Sequence, residues 1–100
     1  MDNRNDHGQT RRAFALGRIG MTPGATTAFA ATGERPFPFL ARHQRGDWGA
    51  VSREDAAEND FSVAHGFRIV SAYALQDGTR IWILTEADRS ATTILLPEEY

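Results

Sequence analysis

The sequence predicts an α+β fold in which an N-terminal strand and three short helices pack on one face of a C-terminal three-stranded antiparallel meander. Two observations indicate this fold. Over residues 67–100, β-branched and aromatic runs alternate with turn residues, and Asp77-Gly78 between the first two runs is a strong hairpin signal. Upstream, helix-capping residues and glycines bracket shorter segments that are typical of helices.

The N-terminal third is expected to contain a tail, a strand and a helix. Residues 1–10 are polar and without periodicity, which predicts a disordered tail ahead of a single domain over 11–100. A strand is predicted over 11–19, although Gly17 interrupts it. Thr22-Pro23 is typical of a helix start, with threonine as N-cap, so a helix is predicted to follow over 25–32 and to end at a glycine.

Two further helices are predicted in the middle of the chain. Pro36 restricts the entry to a helix over 37–45. Ser52 is a suitable N-cap for the third helix, and Gly66 is a suitable end. Three side chains at helical spacing form the expected buried stripe of this third helix: Ala57, Phe61 and Ala64.

Turn length sets the predicted register of the meander. A two-residue type I′ turn at Asp77-Gly78 would place Tyr73 opposite Trp82. The second turn is expected to be a four-residue loop over 87–90, which sets three cross-strand pairs: Thr85–Thr92, Ile83–Ile94 and Trp82–Leu95.

This register predicts two apolar sheet faces. The face expected to carry the helices comprises Val70, Ala72, Ala74, Ile81, Ile83, Ile94 and Leu96. The opposite face comprises Ile69, Tyr73, Trp82, Leu84 and Leu95. Tyr73, Trp82 and Leu95 are therefore predicted to form an exposed stripe that binds another protein or a second copy of the chain. The alternative interpretation places Tyr73 and Trp82 in the core.

A second candidate surface is the acidic side of the third helix. Glu54, Asp55 and Glu58 lie there together with Asp60. Such a cluster is usually a solvated helix face, and the functional alternative is an electrostatic docking patch for a basic partner. Glu54, Asp55 and Glu58 are therefore predicted partner-binding residues.

Composition bears on the remaining functional classes. The formal net charge is -2 with a pI near 5.9, which argues against nucleic acid as the partner. All 11 basic residues are arginine, and there is no cysteine. The three histidines form no helical His/Glu ligand pair, and no nucleophile elbow occurs, so no catalytic, metal or cofactor site is predicted. No run of about 18 apolar residues occurs, and a cytoplasmic protein is predicted.

Several segments resemble a family of small bacterial proteins that are carried on plasmids and integrative elements. The resemblance covers residues 16–100. It is carried by Leu-Gly-Arg-Ile at 16–19, Thr-Pro-Gly-Ala at 22–25, Leu-Ala-Arg-His-Gln-Arg-Gly-Asp-Trp-Gly at 40–49 and the segment 80–97, which contains Trp-Ile-Leu-Thr-Glu-Ala-Asp-Arg-Ser-Ala-Thr-Thr. The resemblance implies an accessory protein of mobile DNA and supplies no catalytic residue. We therefore expect a non-enzymatic protein-binding factor that inhibits or regulates a host defence or maintenance system, for example an anti-CRISPR or anti-restriction factor.

Two alternative functions remain open. The predicted order of strand, helices and meander also resembles the RelE/ParE toxins, whose sheet carries catalytic arginine, lysine and tyrosine. This chain has no lysine and places aliphatic side chains there. The second and third helices could instead form the helix-turn-helix of a small DNA-binding regulator, although the third helix is acidic where a recognition helix is basic.

Overall fold

A four-stranded sheet with three helices forms the fold in the computed structural model, which describes residues 13–100. The elements in chain order are β1 (Arg18–Met21), α1 (Pro23–Thr32), α2 (Phe37–Gln44), α3 (Arg53–His65), β2 (Ile69–Ala74), β3 (Arg80–Thr85), β4 (Ala91–Leu95) and a 3-10 turn (Pro97–Glu99). The predicted α+β class is confirmed. The predicted disordered tail over 1–10 lies outside the described residues.

The N-terminal strand joins the sheet as a fourth strand instead of packing on the face of the meander. The strand order is β1-β4-β3-β2, with β1 parallel to β4 and the other pairs antiparallel. β1 begins at Arg18, so the predicted strand over 11–19 is wrong in its bounds. Gly17 has φ 66°, and a Cβ there would lie 2.4 Å from the backbone of Ser90, so no regular strand can pass through this position.

The β2–β3 turn is one residue longer than predicted. The Gly78 N–H donates to the Leu75 carbonyl (2.9 Å), and the Leu75 N–H donates to the Thr79 carbonyl (2.8 Å). Gly78 has φ 88°, as expected when a type I turn is followed by a bulge that needs a left-handed residue. The predicted two-residue type I′ turn is therefore wrong, because the same Asp-Gly pair serves a three-residue loop equally well.

This extra loop residue moves every β2 side chain to the other face of the sheet. Tyr73 pairs with Ile81, and Ala72 pairs with Trp82. The second turn has its predicted length, and its three predicted pairs are confirmed: Trp82–Leu95, Ile83–Ile94 and Thr85–Thr92. The face that we call helix-covered thus carries Ile69, Ser71, Tyr73, Ile81, Ile83, Thr85, Thr92 and Ile94, and the face that we call helix-free carries Val70, Ala72, Trp82, Leu84 and Leu95.

The buried side chains of α1 and α2 pack against the middle of the helix-covered face. Ala25 and Phe29 of α1 and Leu40 of α2 share a core cluster with Ile83 and Ile94. The expectation that the helices lie on one face of the meander is therefore confirmed for these elements. The predicted N-caps and C-terminal glycines of α1 and α3 are confirmed as well, at Thr22, Gly33, Ser52 and Gly66.

α3 lies beside the outer edge of β2, and its predicted buried stripe is wrong. Ala57, Phe61 and Ala64 are exposed, whereas Asn59 and Ser62 are buried. The reason is that α3 faces the edge of β2 with a different set of side chains. Asn59 forms hydrogen bonds with the β2 backbone, and Ala56 and Val63 make the apolar contacts with the cluster around Ile69.

The outer edge of β2 is closed by hydrogen bonds. The Asn59 amide donates to the Val70 carbonyl (2.8 Å) and accepts from the Val70 N–H (3.2 Å). The Ala72 N–H donates to the Trp48 carbonyl (3.1 Å), and the Ala72 carbonyl accepts from the Ala50 N–H (2.7 Å). These bonds prevent edge-to-edge pairing with another strand at Val70 and Ala72.

Candidate binding cleft

A cleft of about 430 Å³ lies on the helix-free face, between β3 and the edge formed by β2 and α3. Val70 and Ala72 line it from β2, and Trp82 lines it from β3. The short side chain of Ala72 lies directly opposite Trp82 in the sheet, which leaves the indole uncovered on that side. Local strand alternation therefore positions the main aromatic group of the cleft.

Trp82 and Tyr100 form an aromatic pair at the cleft. Their ring centroids are 5.6 Å apart, with an interplanar angle of 63°, an edge-to-face geometry worth about 0.5–1.5 kcal/mol beyond burial. The Tyr100 side chain is 64% exposed, and Trp82 is half-buried. The pair therefore consists of a half-buried indole ring and a phenol ring that is largely accessible to a partner.

Charged side chains of both signs line the same cleft. Asp55 and Glu58 approach from α3, while Arg68 and Arg80 approach from the sheet. The Arg68 guanidinium lies 5.9 Å from the centroid of the Tyr100 ring, within the range of a cation–π contact. Among residues 13–100, no ion pair within 4 Å joins these four side chains to one another.

The structure separates the residues of the predicted aromatic stripe. Trp82 lies in the cleft, and Leu95 lies beside it but is only 6% exposed. Tyr73 is on the helix-covered face and 2% exposed, so its assignment to the stripe is wrong because of the register shift. Among the predicted acidic residues, Asp55 and Glu58 line the cleft, whereas Glu54 is exposed on α3 outside the set that lines it.

Tyr73 instead belongs to a polar cluster at the start of the 47–50 segment. Its hydroxyl donates to the Asp47 carbonyl (2.7 Å), and the Arg42 guanidinium lies 4.6 Å from its ring centroid. Burial raises the pKa of the Tyr73 phenol to about 12. The hydrogen bond from the Arg42 side chain (2.7 Å) lowers the pKa of the Asp47 carboxyl. These contacts make Tyr73 a structural residue rather than a docking residue.

A second group with potential chemistry is the buried His43. Its Nδ1 atom contacts the Ser71 hydroxyl, and its Nε2 atom lies 2.8 Å from Thr85 Oγ1. Thr85 Oγ1 is 2.7 Å from Thr92 Oγ1, and Thr92 donates to the Leu16 carbonyl (2.7 Å). Because that last bond uses the Thr92 proton, Thr85 donates to Thr92 and therefore accepts the proton of His43 Nε2–H.

This direction leaves Nδ1 of His43 as the acceptor for the Ser71 hydroxyl. The imidazole is 0% exposed, and burial lowers its pKa from 6.5 to about 4. Ser71 is also fully buried, so the Ser–His contact has no access to a substrate. The cluster links α2 to three strands as a satisfied polar network in the core.

Among the charged and aromatic residues of the cleft, three were not predicted from the sequence: Arg68, Arg80 and Tyr100. The face of Arg68, which directly precedes β2, depends on the length of the first turn. Arg80 lies two residues before Trp82 on β3, so strand alternation alone places it on the same face. Tyr100 follows the 3-10 turn, and its contact with Trp82 has no local sequence signal.

Comparison of the chain with protein-family models, with curated proteins and with solved structures gives no match. Within residues 13–100, no three His, Cys, Asp or Glu side chains are grouped so as to hold a metal ion. In the same part of the chain, no helix has the length and apolar character needed to cross a membrane.

Proposed function

We propose that the protein is a non-catalytic binding protein that contacts another protein through the cleft. The observation that carries this proposal is the accessible Trp82–Tyr100 pair in a concave site. Tryptophan, tyrosine and arginine are enriched among the residues that dominate binding energy at protein interfaces. The cleft carries charges of both signs, which can pair with the acidic and basic side chains of a protein surface. A phosphate backbone, in contrast, would be repelled by Asp55 and Glu58.

The proposed biological setting is the cytoplasm, as an accessory factor of mobile DNA that inhibits or regulates a host defence or maintenance system. Its support is the resemblance of residues 16–100 to proteins of plasmids and integrative elements. The enclosed position of the Ser71–His43 contact is consistent with a role in binding rather than catalysis.

The first prediction concerns capture of the partner by the intact protein. We expect Trp82→Ala to weaken binding of a partner isolated from the native host by about 30-fold, because loss of an aromatic hot spot costs about 2 kcal/mol. The matched control is Phe37→Ala, which removes a 73% exposed aromatic side chain outside the cleft. Equal affinity of wild type and folded Trp82→Ala would overturn the proposal.

The same variants separate a foreign partner from a second copy. If the cleft forms a homodimer, sedimentation equilibrium should show wild-type dimers that dissociate in Trp82→Ala and persist in Phe37→Ala. The two alternative functions predict other outcomes. A toxin should arrest growth on expression, and a DNA-binding regulator should bind DNA at about 0.15 M salt with a steep salt dependence.

A further inference from the structure

We infer that the cleft takes an extended, polyproline II-like segment of the partner in which one basic side chain is flanked by two acidic ones. This inference rests on the proposed function and adds the conformation and charge pattern of the bound segment. It follows from the order of charges along the cleft and from the closure of the neighbouring strand edge.

The two arginines of the cleft lie at opposite ends of the β2–β3 hairpin. Arg80 is paired with Ala74 at the last residue of β2, whereas Arg68 directly precedes the first residue of β2. Six residues of strand separate the two backbone positions, which corresponds to about 20 Å. The Arg68 guanidinium extends from its end towards Tyr100, 5.9 Å from the centroid of that ring. Trp82 lies between the two backbone positions, opposite Ala72.

The two carboxylates lie beside the middle of the cleft. α3 runs antiparallel to β2, because the Ser62 carbonyl accepts from the Phe67 N–H (3.2 Å) while Asn59 binds the backbone of Val70. Asp55 and Glu58 precede Asn59 on α3 and therefore lie near the levels of Val70 and Ala72. The charges along the cleft thus run positive, negative, positive, with Trp82 at the negative centre.

Charge complementarity then specifies the partner segment. A central arginine or lysine would lie over the Trp82 indole between Asp55 and Glu58, combining cation–π and ionic contacts. Acidic side chains on either side of it would meet Arg80 and Arg68 as charge-assisted hydrogen bonds.

The conformation of the segment follows from the state of the β2 edge. The Val70 and Ala72 backbone groups are already bonded to Asn59, Trp48 and Ala50, so the partner cannot add a strand there. A polyproline II segment needs no ladder and suits aromatic-lined grooves. Its three-residue turn places positions i, i+3 and i+6 on one side over about 19 Å, which is close to the separation of the backbone positions of Arg68 and Arg80 and leaves their long side chains to adjust to the acidic groups.

The test uses three capped synthetic heptapeptides as probes of the 100-residue protein. Glu-Pro-Pro-Arg-Pro-Pro-Glu carries the inferred pattern, Arg-Pro-Pro-Glu-Pro-Pro-Arg carries its inverse, and Gln-Pro-Pro-Gln-Pro-Pro-Gln is neutral. Each is titrated into 15N-labelled protein while the tryptophan indole N–H signals are followed. Trp48 is an internal control, because its indole N–H donates to Asp60 (3.0 Å) and its side chain is buried away from the cleft.

We expect the inferred pattern to bind about tenfold more tightly than its inverse and to shift the Trp82 signal without shifting that of Trp48. The double variant Asp55→Asn with Glu58→Gln should lose this preference. Glu54→Gln, on the same exposed turn of α3 but outside the cleft, is the matched control and should keep it.

The inference is overturned if the three peptides bind equally, if the inverse binds more tightly, or if none shifts Trp82. It is also overturned if the preference survives in the double variant. None of these results affects the proposed function, which instead fails if folded Trp82→Ala keeps full affinity for the isolated partner.

Discussion

At the residue scale, Arg89 connects the β3–β4 turn to the end of α3. Its guanidinium donates to the carbonyls of Phe67 (2.7 Å), Glu86 (3.1 Å), Ala87 (3.1 Å) and Ser62 (2.8 Å). Its φ of 62° is uncommon for a residue with a Cβ, so the side-chain bonds hold a strained backbone in place.

We therefore expect Arg89→Ala to lower the free energy of unfolding by about 2–4 kcal/mol, because hydrogen bonds to charged groups contribute about 1.5–3 kcal/mol each and these are partly exposed. Urea unfolding measures the change. Arg89→Gly is the control, since it loses the same bonds but relieves the backbone strain, and it should be less destabilised. A change below about 0.5 kcal/mol in both variants would contradict this role.

His43 makes stability depend on pH. Its pKa falls from 6.5 in the unfolded chain to about 4 in the folded protein, so between these values only the unfolded chain binds the proton. The contribution of the neutral, buried His43 to the free energy of unfolding is therefore complete above pH 6.5. It decreases as the pH falls towards 4, by about 3 kcal/mol in total. We expect the urea midpoint to decline between pH 6.5 and 5, where carboxyl groups titrate little.

Urea unfolding across this pH range measures the effect. A urea midpoint that stays constant from pH 7 to 5 would show that His43 does not titrate as the buried network requires. Long-range 1H–15N spectra should also show the Nε2–H tautomer.

At the element scale, the closed edge of β2 depends on a close approach of the 47–50 segment. Gly49 has φ 75°, and a Cβ there would lie 2.0 Å from the Ala72 carbonyl oxygen and 2.7 Å from the Tyr73 ring. No side-chain motion can relieve a clash with backbone, so this position requires glycine.

We predict that Gly49→Ala unfolds the edge and destabilises the protein by several kcal/mol, to be measured by thermal denaturation. Gly33→Ala is the matched control, because Gly33 also has a positive φ (76°) but has open space where a Cβ would lie. Gly33→Ala should cost only about 1 kcal/mol. Similar melting temperatures for the two variants would show that the edge contact is not tight.

Turn chemistry shows how far local sequence specifies an element. Asp77-Gly78 correctly indicates a hairpin, since Gly78 supplies a left-handed residue and the Asp77 carboxylate accepts from the Thr79 N–H (2.9 Å). Loops of two and three residues both accept this pair. The choice between them depends on which side chains the helices bury, and the observed register buries Ile69 opposite Thr85 and Tyr73 opposite Ile81.

At the scale of the whole molecule, the register divides the aromatic residues between core and cleft. We expect Tyr73→Ala to cost about 3–5 kcal/mol, because it empties a buried site and removes the hydrogen bond to Asp47. Tyr100→Ala should cost less than about 1.5 kcal/mol, the value of an exposed edge-to-face contact. Equal losses in urea unfolding would contradict the assignment of the two faces.

The sequence alone determined the features that form within a few residues. Caps at Thr22 and Ser52 and left-handed glycines at Gly33 and Gly66 act through hydrogen bonds within one helical turn, so local composition specifies them. The second turn is likewise local, and its length sets the β3–β4 register.

Only the tertiary structure decided the placement of β1 beside β4, the position of α3 along the β2 edge, and the contact of Tyr100 with Trp82. Each of these joins segments that are distant in the chain. Periodicity specifies which residues can share a face, but the face that is buried is chosen by the packing of all elements together. The cleft is therefore a product of the assembled fold, since its walls come from α3 and the 50–52 segment before it, from the β2–β3 hairpin with the preceding Arg68, and from the residue after the final turn.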